Sequence, residues 1–191
     1  MPTPADIAVM DVEWTSWEGA SSRRWRGPGE EMEIVQIGAV RLKDDDGLKE
    51  LDALDLLVRP RINPTLSDYF IDLTGITQAR LDRDGIGFAG ALGRLRAFLE
   101  GARAVCSYGT DYTIIRHNCG LHGLDFPFEE SLFRNVRKEI ATAVGFDPLG
   151  VYSSGLPEIM GFPPPGAAHQ GVDDCRCIAQ ALRILRRRGK F

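Results

Sequence analysis

Asp11 and Glu13 stand two apart at the end of the apolar run IAVMDVE. In an extended strand, residues i and i+2 face the same side, roughly 6–7 Å apart at about 3.3 Å per residue. Two carboxylates so placed can share divalent cations, which suit hard oxygen ligands; alone, they also read as polar residues at a strand edge. Asp111 follows Ser107-Tyr108-Gly109-Thr110 at a strand-to-helix junction, where sites of α/β sheets assemble, and also reads as a helix-start aspartate. His169 and Asp174 open the last helical pattern. Asp174 shares a face with Ile178, Ala181, Leu182 and Leu185, so its carboxylate lies on the stripe that must pack on the sheet. Burial there is costly unless the group is paired or coordinates metal. Its neighbour Asp173 falls beside Cys177 and Gln180 and reads as a helix-start residue favoured by the dipole. His169 by itself also reads as a solvated loop histidine.

The elements that must position these groups follow from periodicity. Residues 7–13 read as a strand preceded by Pro4, residues 34–42 as a longer β-branched run, and residues 51–59 as a third strand stopped by Pro60. Between the first two lies the Gly/Ser-rich stretch 14–32, too long for a tight hairpin and read as an extended surface loop. Phe88, Ala91, Leu92, Leu95, Phe98 and Leu99 recur at helical spacing. Residues 103–107 read as a buried strand, 111–121 as a helix, and 131–136 as a fifth strand. Short helices are predicted at 138–144 and 154–160, then a last helix at 172–188. Three successive strands followed by alternating helices and strands predict an α/β fold around one mixed sheet.

The 191 residues are enough for one domain, which we expect to span 1–191. With 43% hydrophobic and 26% charged residues, the composition is that of an ordinary globular chain rather than a disordered one. A formal net charge of -4 excludes a uniformly basic, histone-like binder but not a polyanionic partner met by a local positive surface or bound metal. Four cysteines, irregularly spaced, do not make a disulfide scaffold. No apolar run is long enough to span a membrane and no leader pattern precedes the first strand, so a soluble, cytoplasmic chain is expected, without a membrane partner.

Taken together, D-x-E after an apolar strand, a distant aspartate at a strand–helix junction and H-x4-D opening the final helix resemble the three motifs of the DEDDh 3′–5′ exonucleases, a branch of the RNase H-like superfamily. VMDVEWT resembles the first motif, EIVQIGAV the strand after it, and HQGVDDCRCIA the third motif. LLVRPRINPTLSDYFIDLTGITQ resembles a segment typical of the KapD and eraser-of-RNAi-like members. SYGTDY departs from the second motif in lacking the Asn or Trp often found upstream of its aspartate. The resemblance implies an RNase H-like fold with a mixed five-stranded sheet flanked by helices. It also implies that Asp11, Glu13, Asp111 and Asp174 hold two Mg²⁺ ions, with Mn²⁺ able to substitute, about 3.5–4 Å apart. His169 then serves as general base, a task suited to imidazole chemistry. The expected reaction is removal of nucleoside 5′-monophosphates from the 3′ end of single-stranded nucleic acid, with RNA or short oligonucleotides preferred and DNA the alternative. These four carboxylates equal the whole formal charge of -4, and two divalent ions would offset them.

By the same resemblance, Thr15 contacts the terminal nucleotide, and Leu73, Thr74 and Gly75 pack against its base and sugar; the latter three also read as a helix end stopped by Gly75. Trp17 and Trp25, with Arg23, Arg24 and Arg26, read either as a base-stacking, phosphate-meeting loop or as a solvated loop whose tryptophans cover the core. The basic residues Arg183, Arg186, Arg187, Arg188 and Lys190 suit a helix C-terminus. His117, Cys119 and His122, with Cys106, offer a zinc alternative, but a helix spreads the first three over different faces. Two other functions stay open on these residues. A proofreading-like DNA exonuclease is expected to need a polymerase-binding tail, whereas this sequence ends at Phe191 just after its last predicted helix. A binding module without activity would have no use for four converging carboxylates.

Overall fold

The computed structural model describes residues 6–191; Pro4, expected to bound the first strand, lies outside them. Strands β1 (Ile7–Trp14), β2 (Ile34–Leu42) and β3 (Glu50–Leu57) form an antiparallel meander, and β4 (Ala104–Ser107) and β5 (Phe133–Asn135) extend it in parallel beyond β1. The order β3-β2-β1-β4-β5 puts β1 in the centre of the mixed sheet.

Period-two alternation assigns the faces of the central strand. Ala8, Met10 and Val12 pack with Phe88, Leu92, Leu95 and Ile115 under helices α3 (Phe88–Leu99) and α4 (Asp111–Leu121). Ile7 and Val9 pack on the other face with Ile178, Leu182 and Leu185 of α7 (Gly171–Arg187), alongside Ile140 of α5 (Arg137–Val144) and Leu156 of α6 (Leu156–Met160). Asp11 and Glu13 continue the Ile7–Val9 row, so they emerge on the α7 side where that core gives out.

The fit of α7 depends on two glycines. Gly38 of β2 lies opposite Asp11 in the register, and a β-carbon on it would fall 2.2 Å from the carbonyl carbon of Gly171. Only bare backbone lets the start of α7 come this close to the sheet. Gln36, opposite Glu13 and buried, then accepts the Gly171 N–H at 3.0 Å and donates to Asp55 at 2.7 Å.

The expected strands and longer helices are present with boundaries shifted by a residue or two, α7 running Gly171–Arg187 rather than 172–188. Sequence periodicity gave no indication of α2 (Gln78–Asp84) and indicated only the end of α1 (Asp68–Thr74). Both are single-sided helices of 7 residues, too short to display a period, and their ends are fixed by caps instead. Ser67 accepts the Phe70 N–H, Thr77 accepts the Arg80 N–H, and Gly75 closes α1 at φ +69°. They pack Phe70, Ile76 and Leu81 against Val35 and Leu57. No helix among the described residues is long and apolar enough to cross a membrane.

Candidate active site

Three elements meet at the carboxyl end of β1. One carboxylate oxygen each from Asp11, Glu13 and Asp174 lie within 4.8 Å of one another. Asp111, at the first position of α4, stands beside this trio, and its Oδ1 accepts the Val12 N–H at 3.3 Å. His169, on the loop before α7, brings Nδ1 to 3.9 Å from Glu13 Oε1. The five residues singled out in the sequence therefore share one cleft.

The cleft is electrostatically unusual. Asp11 and Glu13 open partly towards solvent, whereas Asp111 and Asp174 are buried. Burial, then the charges of Asp111, Glu13 and Asp174, hold the Asp11 carboxyl well above the usual carboxylate range. Burial and the charges of Asp174 and Asp111 push Glu13 up to about 8. Asp111 rises to about 6 through burial, held back by its own N–H, the Val12 N–H and the Ser107 hydroxyl. Burial also raises Asp174, opposed by the Ser153 hydroxyl, His169 and the Gln170 N–H.

Among the described residues, no lysine or arginine pairs with any of the four; the basic side chain in reach is the His169 imidazole. Buried carboxylates without a counter-charge either keep protons or take up a cation. An all-oxygen donor set of this kind fits hard divalent ions. The zinc alternative does not assemble: Cys119 is buried in the core, His122 stacks on Phe88 at 4.9 Å, and His117 pairs with Glu31 at 2.6 Å.

The remaining sequence expectations divide. Leu73 is half-buried and Gly75 exposed at the end of α1, and a β-carbon on Gly75 would lie 3.8 Å from the Gln170 amide, so this helix end borders the His169 loop. Thr74 is buried, its hydroxyl donating to Phe70 O at 2.8 Å. Thr15 is buried too: its hydroxyl donates to Glu31 O and accepts the Glu33 N–H at 3.0 Å, so the side chain anchors the 14–32 loop. Trp25 turns inward, its ring 5.7 Å from Trp14 and its indole N–H donating to Thr15 O at 3.1 Å, and Arg23 pairs with Glu30. Of the two readings of this loop, tryptophan as core cover therefore holds for Trp25. At the chain end, Arg183 and Arg186 bond backbone carbonyls at Leu48 and Asp45, while Arg187, Arg188 and Lys190 are exposed.

Sequence reasoning missed Ser153, Gln170 and Gln36, whose side chains hold the third motif in place. Gln36 carried a usable signal, a polar residue inside the apolar run IVQIGAV. Ser153 and Gln170 carried none, because their partners are distant in sequence.

The five-stranded mixed sheet with an acidic cleft at the end of its central strand is an RNase H-like fold of the DEDDh exonuclease type. A family model described as Exonuclease (RNase_T) matches residues 8–182, and the chain belongs to that family. It is 29% identical over 189 residues to 3'-5' exoribonuclease 1 of Homo sapiens and 28% identical over 190 residues to that of Rattus norvegicus. Each match covers 94% of this chain and 52% of the relative, so the chain spans about half the length of these curated proteins. Among solved structures, the nuclease domain of 3'hExo, a DEDDh family member bound to rAMP, superimposes with a TM-score of 0.83 at 26% identity, covering 98% of this chain and 94% of that one.

Proposed function

We propose that this chain is a divalent-metal-dependent 3′–5′ exonuclease that shortens single-stranded RNA or short oligonucleotides and releases nucleoside 5′-monophosphates. The observation that carries the reading is the convergence of Asp11, Glu13 and Asp174, with Asp111 beside them and His169 at the rim. Asp11, Glu13, Asp111 and Asp174 would hold the ions, Mg²⁺ or Mn²⁺. When bound, these supply charge neutralisation at the phosphate and acidify water. His169 accepts the proton of the attacking water as the new O–P bond forms. The bond to the 3′ oxygen of the penultimate nucleotide breaks, and that oxygen takes up a proton from solvent.

Leu73 and Gly75, at the end of α1, offer an apolar edge and an open backbone against which the terminal nucleoside packs. Thr74, its hydroxyl turned inward to Phe70 O, supports that surface from behind, and Thr15 acts by anchoring the 14–32 loop after the first motif. RNA is favoured over DNA because the curated relatives are exoribonucleases and the 3'hExo nuclease domain was captured with rAMP.

The test is purified protein with 5′-labelled and 3′-labelled single-stranded RNA and DNA, in Mg²⁺, Mn²⁺ or EDTA. Stepwise shortening from the 3′ end, stopped by EDTA and absent in Asp11→Asn and His169→Ala variants that keep the wild-type fold, supports the proposal. Faster loss of DNA than RNA would favour the DNA-directed alternative. Intact polymer under every condition would leave only a binding role.

A further inference from the structure

Ser153 lies in the 3-10 turn Ser153–Gly155 that precedes α6, and its hydroxyl donates to Asp174 Oδ1 at 3.0 Å. The Gln170 N–H reaches the other oxygen, Oδ2, at 3.1 Å. Both oxygens of this carboxylate are thus met by neutral donors, which fixes its plane. Asp11 and Glu13 receive no side-chain hydrogen bond among the described residues.

The segment that delivers Ser153 is itself braced. Arg137 of α5 donates from Nε to Pro148 O at 2.8 Å and from Nη2 to Val151 O at 2.9 Å. Its guanidinium sits 5.4 Å from the ring centroid of Tyr108, just past β4 on the segment leading to Asp111. The same turn sets the Tyr152 ring 6.4 Å from the His169 ring.

Resting on the metal-dependent reading above, we infer that Ser153 is a positioning residue that orients Asp174 for a divalent cation, and that Arg137 holds Ser153 in place. The chemistry of the side chain suits the task. A lysine or arginine at this point would neutralise Asp174 and compete with the cation. A hydroxyl orients the carboxylate without cancelling its charge, and each oxygen keeps lone-pair capacity for an ion. Arg137 spends its charge on carbonyls and an aromatic face, so it stabilises the turn without entering the acidic cleft.

The experiment measures binding of Mn²⁺ alone to the purified chain by titration calorimetry, with no substrate present. Ser153→Ala is expected to bind Mn²⁺ about 3- to 10-fold more weakly, the net worth of one ordinary hydrogen bond. Ser153→Thr, which keeps the hydroxyl, stays within about twofold of wild type. Arg137→Met weakens binding in the same direction, and the double variant is no weaker than the weaker single one, because both changes act through the same contact. Thermal melts run alongside separate this from loss of fold. Wild-type affinity in Ser153→Ala overturns the inference, as does Ser153→Thr binding as weakly as Ser153→Ala. If Ser153→Ala does not fold, wild-type affinity in Arg137→Met overturns it instead. Absence of Mn²⁺ binding by the wild-type chain would sink the metal-dependent reading itself, a separate result.

Discussion

Gly38 and Gly171 meet backbone against backbone, with the start of α7 resting on the β2 strand directly opposite Asp11. This contact sets how far Asp174 reaches over the sheet. A β-carbon on Gly38 would come within 2.2 Å of Gly171 C and 2.5 Å of Val172 N, both main-chain atoms that can yield only if α7 moves. Gly38→Ala is therefore expected to cost about 1–3 kcal/mol, as overpacking does, and to remove most nuclease activity. Gly90→Ala is the control: on the exposed side of α3 with nothing within 4 Å, it should stabilise the fold by about 0.5–1 kcal/mol. Chemical denaturation of both variants tests the pair, and a fully active, wild-type-stable Gly38→Ala would refute the argument.

The acidic cleft makes stability depend on pH and metal together. Glu13 holds its proton to about pH 8 in the fold against an ordinary value of 4.5, and Asp11 and Asp111 are raised in the same sense. Between those values the folded state binds more protons than the unfolded one, so stability of the metal-free protein falls as pH rises from about 4.5 to about 8. A divalent cation replaces those protons and stabilises most where they are lost. In EDTA the melting temperature should drop by roughly 5 °C between pH 6 and pH 8, and Mn²⁺ should restore more at pH 8 than at pH 6. A metal-free melting curve that rises over this interval would contradict the sign.

Tyr152 is 63% exposed at the rim of the cleft, beside His169. An exposed aromatic ring offers a stacking surface to an unpaired base, with a contribution of about 1–3 kcal/mol. Tyr152→Ala should raise KM for single-stranded RNA about 5- to 150-fold, while Tyr152→Phe remains near wild type. Steady-state kinetics with an oligonucleotide series decides this, and equal KM values for the alanine and wild-type proteins would count against stacking.

Gln170 links the proposed nucleoside surface to the third motif. Its side-chain amide donates to Thr74 O at the end of α1 and accepts from Arg80 at 3.4 Å, whereas its backbone N–H serves Asp174. Removing the side chain should loosen the docking of α1 without releasing Asp174. Gln170→Ala is expected to raise KM for RNA about 3- to 10-fold with Mn²⁺ affinity unchanged. Calorimetry and kinetics on one preparation separate the two effects, and a parallel loss of Mn²⁺ binding would disprove the division of labour.

The motif residues were legible in the sequence because each lies at a place that local pattern marks. Asp11 and Glu13 close an apolar strand, Asp111 opens a helix, and Asp174 interrupts an apolar helical stripe. Each alone also reads as an ordinary polar residue, and it is their combination along the chain that marks the site. The supports were not legible, since Ser153 meets Asp174 and Gln36 meets Gly171 only after distant segments pack. Thr15 shows the opposite failing. The resemblance gave it a contact with the terminal nucleotide, whereas in the fold its hydroxyl satisfies backbone groups of the 14–32 loop. Helices α1 and α2 escaped periodicity because 7 residues make barely two turns, and capping chemistry rather than amphipathic pattern defines them.

His169 holds φ at +56°, a left-handed conformation that a side chain with a β-carbon occupies at a cost of about 1–2 kcal/mol. Glycine would sit there without strain. His169→Gly should therefore be the more durable protein and an inactive one, and the wild-type loop is a point where stability and activity pull in opposite directions. Selection for heat tolerance alone would be drawn to erase the group that the proposed chemistry most needs.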